Sequence, residues 1–264
     1  MLLAEARALW AARGLVWVLA KRDVSARHAG SLAGALWAYL PPLLTVAAYY
    51  LVFDIVFAMR LGEQAPVRSV GAYLIVGSLP WMAFCDAVSR ATSSLIDAGG
   101  LLQKNPLPPA LFPARTVIAS AVIYGPLVVL MTLAYAPVHK FSPALVALLP
   151  LALLQLILCW LLGYLLAIFA AALRDVIAIV GFVLSIGIYL SPVLFPASMF
   201  PASWRWVLWL NPMAPLVGGY QSVVLSGQWP QASTWAVTLC WIALIALLLN
   251  TVVKRSREQL VDWL

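Results

Sequence analysis

Apolar residues dominate the chain in six long runs, which short polar segments separate. Each run holds about 20 or more mostly apolar residues, the length that an α-helix needs to cross the hydrocarbon core of a bilayer. The runs cover residues 32–58, 70–92, 114–136, 143–172, 176–195 and 232–253. The pattern therefore predicts an all-α membrane protein with six transmembrane helices and no large soluble domain.

The first 30 residues are the most basic stretch of the chain. Leu3, Ala6, Trp10 and Trp17 fall near one face at helical spacing, although Arg13 interrupts this stripe. A basic amphipathic helix of this kind lies on a membrane surface and does not cross it. Residues 1–264 are thus predicted to form a single domain, with an interface helix over 1–30, a transmembrane region over 32–253 and a tail over 254–264.

Prolines predict two departures from regular helix. Pro41 and Pro42 remove two backbone donors inside the first run, where we expect a kink. Residues 196–230 hold five prolines, four tryptophans and one charge, and are too broken to span and too apolar for a soluble loop. Irregular backbone at membrane depth is tolerated only where protein or a wet cavity surrounds it. We therefore expect a re-entrant pair of short helices here, and another short helix over 93–112.

Composition and charge support a membrane location and set the orientation. The chain is 64% hydrophobic and 9% charged, whereas soluble domains are about 45–50% apolar and about 25% charged. Its 16 Lys and Arg outnumber its 9 Asp and Glu, and the formal charge is +7. Six spans place twelve of the basic residues on the side of the termini and four on the other. The positive-inside rule then makes both termini cytoplasmic and residues 196–230 external.

The sequence lacks the signatures of an enzyme. It has no Gly-x-x-x-x-Gly-Lys-Ser/Thr loop, no Gly-x-Ser-x-Gly, no Cys-x-x-Cys and no clustered carboxylate pair. The two histidines, His28 and His139, fall on opposite sides of the predicted membrane, so they cannot share a metal ion. We therefore expect a transport or scaffolding protein that binds no cofactor or metal itself.

Charged residues inside spans are candidates for function. Asp86 and Arg90 lie four residues apart on the second span, so they share a helix face and can pair. Asp54 lies near the outer end of the first span, where it can reach the interface. No chain of acids indicates a proton relay and no internal repeat is present, which disfavours an ion-coupled carrier.

An ordered set of motifs resembles one family. Residues 22–44 hold Arg22-Asp23, Leu36-Trp37 and Pro41-Pro42, and residues 77–84 read GSLPWMAF. The other matching segments are 104–113, Arg174-Asp175-Val176, Ser191-Pro192-Val193 and Asn211-Pro212-Met213. Their order along nearly the whole chain resembles ABC-2-type permeases that export polysaccharide. The exporters of O-antigen and teichoic acid are most similar and those of capsule come next. His28-Ala29 departs from the family, which often has Tyr and a basic residue there.

The resemblance implies a subunit of the bacterial inner membrane with no enzymatic activity of its own. Two six-span copies would form a channel, and two copies of a cytoplasmic ABC ATPase would bind ATP and Mg. The substrate would be a glycan on undecaprenyl pyrophosphate, threaded outward through the dimer, and nucleic acid would have no part. Three alternatives stay open: an ABC-2 permease for a drug or lipid, a membrane enzyme of lipid-linked sugar metabolism, and an ion-coupled carrier.

The resemblance also suggests site residues. Aromatic rings can stack on sugar faces, which assigns the channel wall to Tyr39, Tyr49, Tyr50, Phe53, Trp81, Phe84, Tyr189 and Phe195. Cations near the cytoplasmic mouth suit a pyrophosphate, and the candidates are Arg22, Arg27 and His28. Trp204, Trp206 and Trp209 are assigned to an outer gate, and Leu101, Leu102, Lys104 and Asn105 to ATPase contact. The competing interpretations are interfacial anchoring of the aromatic residues, ordinary helix packing and retention of cations by the positive-inside rule.

Overall fold

The computed structural model describes residues 2–27, 30–31, 34–58, 69–105, 107–256, 259–260 and 263, and its regular elements there are all helical. The α-helices are α1 (Leu2–Ala11), α2 (Arg13–Ala26), α3 (Leu40–Tyr49), α4 (Val70–Asp97), α5 (Gly99–Leu102), α6 (Leu111–Tyr135), α7 (Leu148–Ala172), α8 (Asp175–Gly187), α9 (Ala214–Ser226) and α10 (Ala232–Ser256). Tyr50–Val56 is π-helical. Short 3-10 segments cover Gly34–Ala38, Ala136–His139, Pro143–Ala147, Ala197–Met199 and Ala202–Leu210.

Five helical stretches of the described part are long and apolar enough to cross a membrane. They are Leu36–Val56, Val70–Asp97, Leu111–Val138, Pro143–Ala172 and Ala232–Ser256, and they confirm five of the predicted spans. The predicted continuous span over 176–195 is wrong in that form, because α8 ends at Gly187 and turns follow. Pro192 lacks an amide hydrogen and disfavours helical backbone at the residue before it, which separates these turns from any longer helix.

The second span, α4, is the central helix of the bundle. Of the residues in its most apolar stretch of 18, 78% are buried inside the protein. The helix packs against α6, α7, α8 and α9. Gly163 of α7 lies directly on Ala91 of α4, where a Cβ would collide with the alanine side chain. Small residues let two membrane helices approach closely. The position of α4 therefore fixes the side chains that its remaining face presents.

The first span changes helix type along its length, from 3-10 through α to π. Pro41 and Pro42 lie in the first turn of α3, where a missing amide hydrogen costs little. The double proline thus begins an α-helix at the place where a kink is predicted. Only 6% of the residues in the most apolar stretch of this span are buried against the rest of the chain. Most of its surface is therefore left for lipid or another protein.

Residues 2–26 form two helices that meet at Ala12. The buried residues of α2 are Val16, Ala20 and Val24. Trp10 and Trp17 are exposed instead, and each ring lies near a cation: Arg13 is 5.5 Å from the first ring and Lys21 is 5.7 Å from the second. The outer surface of α1 and α2 therefore combines aromatic and basic side chains.

Asp54 joins the first span to the start of α4. Its two carboxylate oxygens lie 2.7 and 2.8 Å from the Ser69 hydroxyl, and one accepts a 3.2 Å hydrogen bond from the Gly71 amide. Ser69 also caps α4 by accepting from the Ala72 amide. A negative charge is stabilising at a helix amino terminus. That Asp54 reaches the interface stays a prediction, and the structure adds that its carboxylate binds this helix end.

We expect Gly71→Ala to destabilise the protein, because the new Cβ would lie 2.5 Å from Oδ2 of Asp54 and displace the carboxylate. Losing hydrogen bonds to a charged group costs about 1.5–3 kcal/mol, which lowers a thermal midpoint by roughly 3–10 °C in a chain of this size. Thermal unfolding of the detergent-solubilised protein measures this. The control is Gly125→Ala in α6, where no atom lies within 4 Å of the added Cβ. Equal midpoints for Gly71→Ala and the unmodified protein would contradict the role of Asp54.

Candidate functional site

Two of the sequence motifs meet on one side of α4. The segment 191–193 approaches Gly77 closely. A Cβ added to Gly77 would lie 3.2 Å from the Cα of Val193 and 2.7 Å from Nε2 of Gln221. Glycine at position 77 therefore permits irregular chain to pack on the helix. The Pro192 carbonyl accepts hydrogen bonds from the Tyr73 hydroxyl at 2.9 Å and from Gln221 at 2.8 Å. The turn after α8 is thereby fixed to both α4 and α9.

Asn211 joins the end of α8 to the start of α9. Its Nδ2 donates to the carbonyls of Gly187 and Leu190 at 3.2 and 3.3 Å, and its Oδ1 accepts from the Met213 amide at 3.0 Å. The Gly187 carbonyl also accepts from the Leu190 amide at 3.2 Å, so Asn211 adds a second donor at the helix end, where carbonyl groups lack their usual partners. A Cβ on Gly187 would lie 2.8 Å from the Trp81 ring. The Asn-Pro motif therefore holds the end of α8 against the indole on α4.

A cavity of about 570 Å³, here named the membrane cavity, opens between α3, α4 and α8. Its aromatic lining is Tyr49 and Trp81, and hydroxyl groups come from Thr45, Ser78, Ser89 and Ser185. Rings and hydroxyl groups side by side can stack on and hydrogen-bond to a polar chain. Asp86 and Arg90 of α4 also line this cavity.

A second cavity of about 560 Å³, here named the cytoplasmic cavity from the predicted topology, lies among α2, the start of the first span, α4 and α6. Its lining includes Asp23, Arg27, Trp37 and Tyr124. Asp86 and Arg90 line it as well. Because these two residues belong to both linings, the two cavities adjoin at this point of α4.

Four charged side chains connect α2 to α4 where the cavities adjoin; we call them the ionic cluster. Arg27 lies 3.2 Å from Asp86 and 3.3 Å from Asp23, and Arg90 lies 3.2 Å from the same oxygen of Asp23. Asp86 and Arg90 therefore take partners on α2, and the predicted pair between them along α4 is wrong. Helix α2 packs alongside and supplies opposite charges, and such partly buried pairs are screened less than an exposed pair on one helix.

The structure brings two of the eight predicted wall residues together. Tyr49 and Trp81 line the membrane cavity, and Tyr189 is exposed in the turns after α8. Phe53 contacts the Tyr49 ring at 6.2 Å between centroids. Phe195 packs on Phe200 beyond the turn of segment 191–193. These five predicted residues thus lie on three parts of the chain: the first span, α4 and the segment after α8.

Phe53, Tyr189 and Phe195 do not line the membrane cavity, and neither do the remaining three predicted wall residues. Phe84 is only 3% exposed and packs on Trp81, so it is a core residue of this chain. The Tyr39 hydroxyl donates to the Val122 carbonyl at 3.4 Å, which directs it toward α6. Tyr50 lines a separate apolar cavity of about 350 Å³ between α3, α4 and α6. The predicted spans alone did not locate these three side chains, because the rotation of each helix about its axis decides which cavity a side chain faces.

The candidate cations differ in their surroundings. Arg22 is exposed on α2, whereas the Arg27 side chain is 9% exposed and held between two carboxylates. His28 lies outside the described residues. Arg27 is therefore the candidate that the structure places in the cytoplasmic cavity.

The predicted outer-gate tryptophans lie in the 3-10 segment before α9 and are exposed. Trp204 and Trp206 stack with ring centroids 6.3 Å apart. The Trp209 carbonyl accepts a 3.0 Å hydrogen bond from the Trp241 indole, which fixes the segment to α10. Exposed rings at fixed backbone suit both a gate and an interfacial anchor.

The predicted ATPase-contact residues lie in and after α5. Leu101, Lys104 and Asn105 are exposed, whereas Leu102 is buried in the core and anchors the turn. The short helix expected over 93–112 is wrong in its extent, because α4 continues to Asp97 and α5 has only four residues. The glycines and prolines of this segment shorten α5, since both residues lower helix propensity.

Sequence reasoning missed the hydroxyl side chains of the membrane cavity. Ser78, Cys85 and Ser89 follow at seven- and four-residue intervals on α4, which places them on one helix face. This polar stripe within an apolar span was the available signal. Ser185 offers no comparable signal, because only the packing of α8 brings it to the same cavity.

Comparison with known proteins finds transport permeases along most of the chain. The chain is 29% identical to the O-antigen export system permease protein RfbA of Myxococcus xanthus, over 97% of each chain. It is 26% identical to the protein of the same name from Klebsiella pneumoniae, over 81% of each chain. It is 25% identical to the inner membrane transport permease YadH of Escherichia coli K12, over 83% of this chain and 88% of the relative.

Most of the described helices fall within the region that defines a family. The sequence model of the ABC-2 type transporter family matches residues 14–225, which hold nearly all of α2 and α9, the helices between them and both cavities. The match covers most of the chain and includes every motif that fixes the turn after α8. The chain therefore belongs to the ABC-2 type transporter family.

Proposed function

We propose that this chain is the transmembrane subunit of an ATP-driven exporter that moves a polysaccharide, O-antigen foremost, across the inner membrane. The observation that carries the proposal is the similarity along nearly the whole chain to permeases named for O-antigen export. The membrane cavity supports it, because Tyr49 and Trp81 stand among four hydroxyl side chains. Rings suit flat sugar faces, and hydroxyl groups suit their polar edges.

The glycan would arrive on undecaprenyl pyrophosphate through the cytoplasmic cavity. Guanidinium groups bind phosphate in a bidentate manner and keep their charge. Arg27 lines this cavity, so we assign it to the diphosphate, with Arg22 and His28 as further contacts. The membrane cavity then receives the sugar chain, since the two cavities share Asp86 and Arg90.

Two copies of the chain would enclose the channel. The membrane cavity is bounded by α3 and α8, and both helices expose large apolar residues. Phe182, Val183 and Ile186 are examples on α8. A second copy packed on these helices would close the open side of the cavity and cover the first span. We therefore propose a homodimer, with lipid covering the outer surface.

The finer topology completes this proposal. In it α8 and the turns after it make the sixth crossing, α9 and the 3-10 segments before it form the re-entrant outer element, and α1 and α2 lie on the membrane surface. Both termini are then cytoplasmic. Trp204, Trp206 and Trp209 stand at the outer exit, where their exposed rings can gate the glycan.

Energy would enter from two copies of a separate ABC ATPase. The sequence has no phosphate-binding loop, so we assign ATP and Mg to the partner and no cofactor to this chain. Leu101, Lys104 and Asn105 are exposed on the cytoplasmic side of this topology, and Leu102 anchors them to the core. The turn after α5 is therefore the proposed contact with the ATPase.

A second candidate function is export of a drug or lipid by the same fold. The apolar cavity between α3, α4 and α6 favours it, because Leu43, Leu130 and Tyr135 give that cavity a lining suited to acyl chains. The relative from Escherichia coli K12 is named for transport without a stated substrate. Genetic analysis of the host separates the two functions.

We expect deletion of the gene in its own host to stop surface polymer and to accumulate polymer on undecaprenyl pyrophosphate inside the cell. The physical reason is that synthesis continues while the only path outward for that polymer is lost. Extraction of lipid-linked glycan and of surface polymer measures both effects, and the restored gene is the control. Unchanged surface polymer would overturn the glycan proposal and favour a drug or lipid.

We expect Ser185→Trp to reduce export strongly, by about tenfold or more, because an indole at this position would fill the membrane cavity beside Tyr49 and Trp81. Surface polymer in the complemented deletion strain measures export, and the amount of membrane-inserted protein controls for folding. The matched variant is Leu153→Trp, at an exposed position of α7 that does not line the cavity. Full export by Ser185→Trp would exclude this cavity as the path.

We expect Leu101→Asp to weaken co-purification of the ATPase subunit, because a charge would replace an exposed apolar side chain in the proposed contact. Lys104→Glu should act in the same direction if the partner presents an acidic group. Val138→Asp is the control, since Val138 is exposed at the opposite end of the third span. Undiminished co-purification of both variants at the turn would place the ATPase contact elsewhere.

A further inference from the structure

Two arginines of the cytoplasmic cavity keep unused hydrogen-bond donors. The Nε atoms of Arg27 and Arg90 are buried and have no acceptor among the described residues. Both side chains line the cavity, and that of Arg27 is more than nine-tenths buried. A buried donor without an acceptor costs about 1–3 kcal/mol, so such a donor calls for an explanation. The two Nε atoms are closed off from the cavity itself, so an anion would supply their missing acceptors by entering between the guanidinium groups, which would turn toward it.

Asp23 brings the two arginines together. Its carboxylate lies 3.3 Å from Nη2 of Arg27 and 3.2 Å from Nη2 of Arg90, although the two arginines stand on different helices. One carboxylate thus bridges two guanidinium groups, as a phosphate group does in many binding sites. The ionic cluster has two positive and two negative groups, so an added anion would first have to displace a carboxylate.

We propose that Arg27 and Arg90 together bind the diphosphate of the lipid carrier, and that Asp23 occupies this site when the carrier is absent. The inference rests on the proposed function, which supplies a diphosphate-linked substrate. It adds Arg90 on α4 to the site and gives Asp23 the role of an internal competitor. Arrival of the diphosphate exchanges one bridging anion for another with more acceptor oxygens, and these oxygens would also accept from the two Nε donors once the guanidinium groups turn toward them.

Asp23 is the carboxylate that leaves, and Asp86 is the one that stays. Asp86 stands on α4, whose packing on four neighbouring helices fixes it, and it contacts only Arg27 in the cluster. Asp23 stands on the last turn of α2 and holds both arginines. Its displacement removes the contact between α2 and Arg90 and leaves a charged carboxylate that gains by turning toward water.

The exchange therefore couples the carrier to the position of α2. With Asp23 in place, ion pairs tie the end of α2 to α4 at the point where the two cavities adjoin. With a diphosphate in place, α2 keeps its apolar contacts with α6 but loses its carboxylate bridge to α4. The surface helix next to the membrane would thus report that a carrier is bound.

Binding of undecaprenyl diphosphate to the permease–ATPase complex in nanodiscs of phosphatidylethanolamine tests the proposal. We expect Asp23→Asn to lower the dissociation constant by about tenfold, because the internal competitor is gone, and Arg90→Gln to raise it by about tenfold or more. Lys21→Gln is the matched control, since it removes an exposed cation from the same helix. Its dissociation constant should stay within about twofold of that of the unmodified complex.

Two further arms identify the source of the phosphate. Inorganic pyrophosphate should compete with the lipid only weakly, because it lacks the polyprenyl chain. Nanodiscs that contain phosphatidylglycerol should leave the binding of undecaprenyl diphosphate nearly unchanged. Strong competition by phosphatidylglycerol would instead assign the two arginines to ordinary anionic lipid and overturn the proposal.

The thermal midpoint of each variant complex shows whether it is folded, so that a loss of binding is not mistaken for a loss of folding. The double variant Asp23→Asn/Arg90→Gln keeps the cluster neutral, and we expect it to bind more weakly than Asp23→Asn, because Arg90 is absent. Equal or weaker binding by a folded Asp23→Asn would overturn the role of Asp23. If Asp23→Asn does not fold, unchanged binding by Arg90→Gln overturns the site. Absence of binding by the unmodified complex would instead overturn the proposed function together with the inference.

Discussion

The irregular chain between α8 and α9 depends on one constraint: backbone groups that leave helical pairing in an apolar medium must find partners inside the chain. The turns after α8 meet this constraint with three amide or hydroxyl side chains, from Tyr73, Gln221 and Asn211. Gln155 of α7 also donates a hydrogen bond to the carbonyl of Pro80 within α4. Without these donors, irregular chain could not pack on α4, and the membrane cavity would lack its wall on the side of α8.

Two glycines allow the chain around these turns to pack closely on its neighbours. Gly77 and Gly187 place the backbone of one element against a side chain or backbone of another at distances that no Cβ would permit. The pairs are Gly77 with Gln221 and Gly187 with Trp81. Close approach and hydrogen bonding thus act at the same junction, which explains why three separate sequence motifs meet there.

Hydrophobic runs were sufficient to predict the all-α class and five spans, because length and apolar content decide whether a helix can cross a bilayer. The end of α8 needed more, since the apolar run continues to residue 195 while Asn211, distant in sequence, fixes the turn that follows Gly187. In the candidate site, too, helical spacing predicts some features, while others appear only from packing. Helical spacing indicates that Asp86 and Arg90 share a face, but not that α2 supplies opposite charges to both. Tyr50 and Phe84 lay on the predicted spans, and only packing shows that they face elsewhere.

The ionic cluster links α2 to the central helix α4 at the junction of the two cavities. Exposed ion pairs contribute little to stability, and partly buried ones must first repay their desolvation. Four charges at this depth are therefore a poor means of holding α2 to α4, which apolar contacts with α6 already support. Their value lies in exchange: a charged group can be replaced by another of the same sign, whereas an apolar contact cannot respond to an anion at all. A transporter that must distinguish a loaded carrier from empty membrane needs a response of that kind at its entrance.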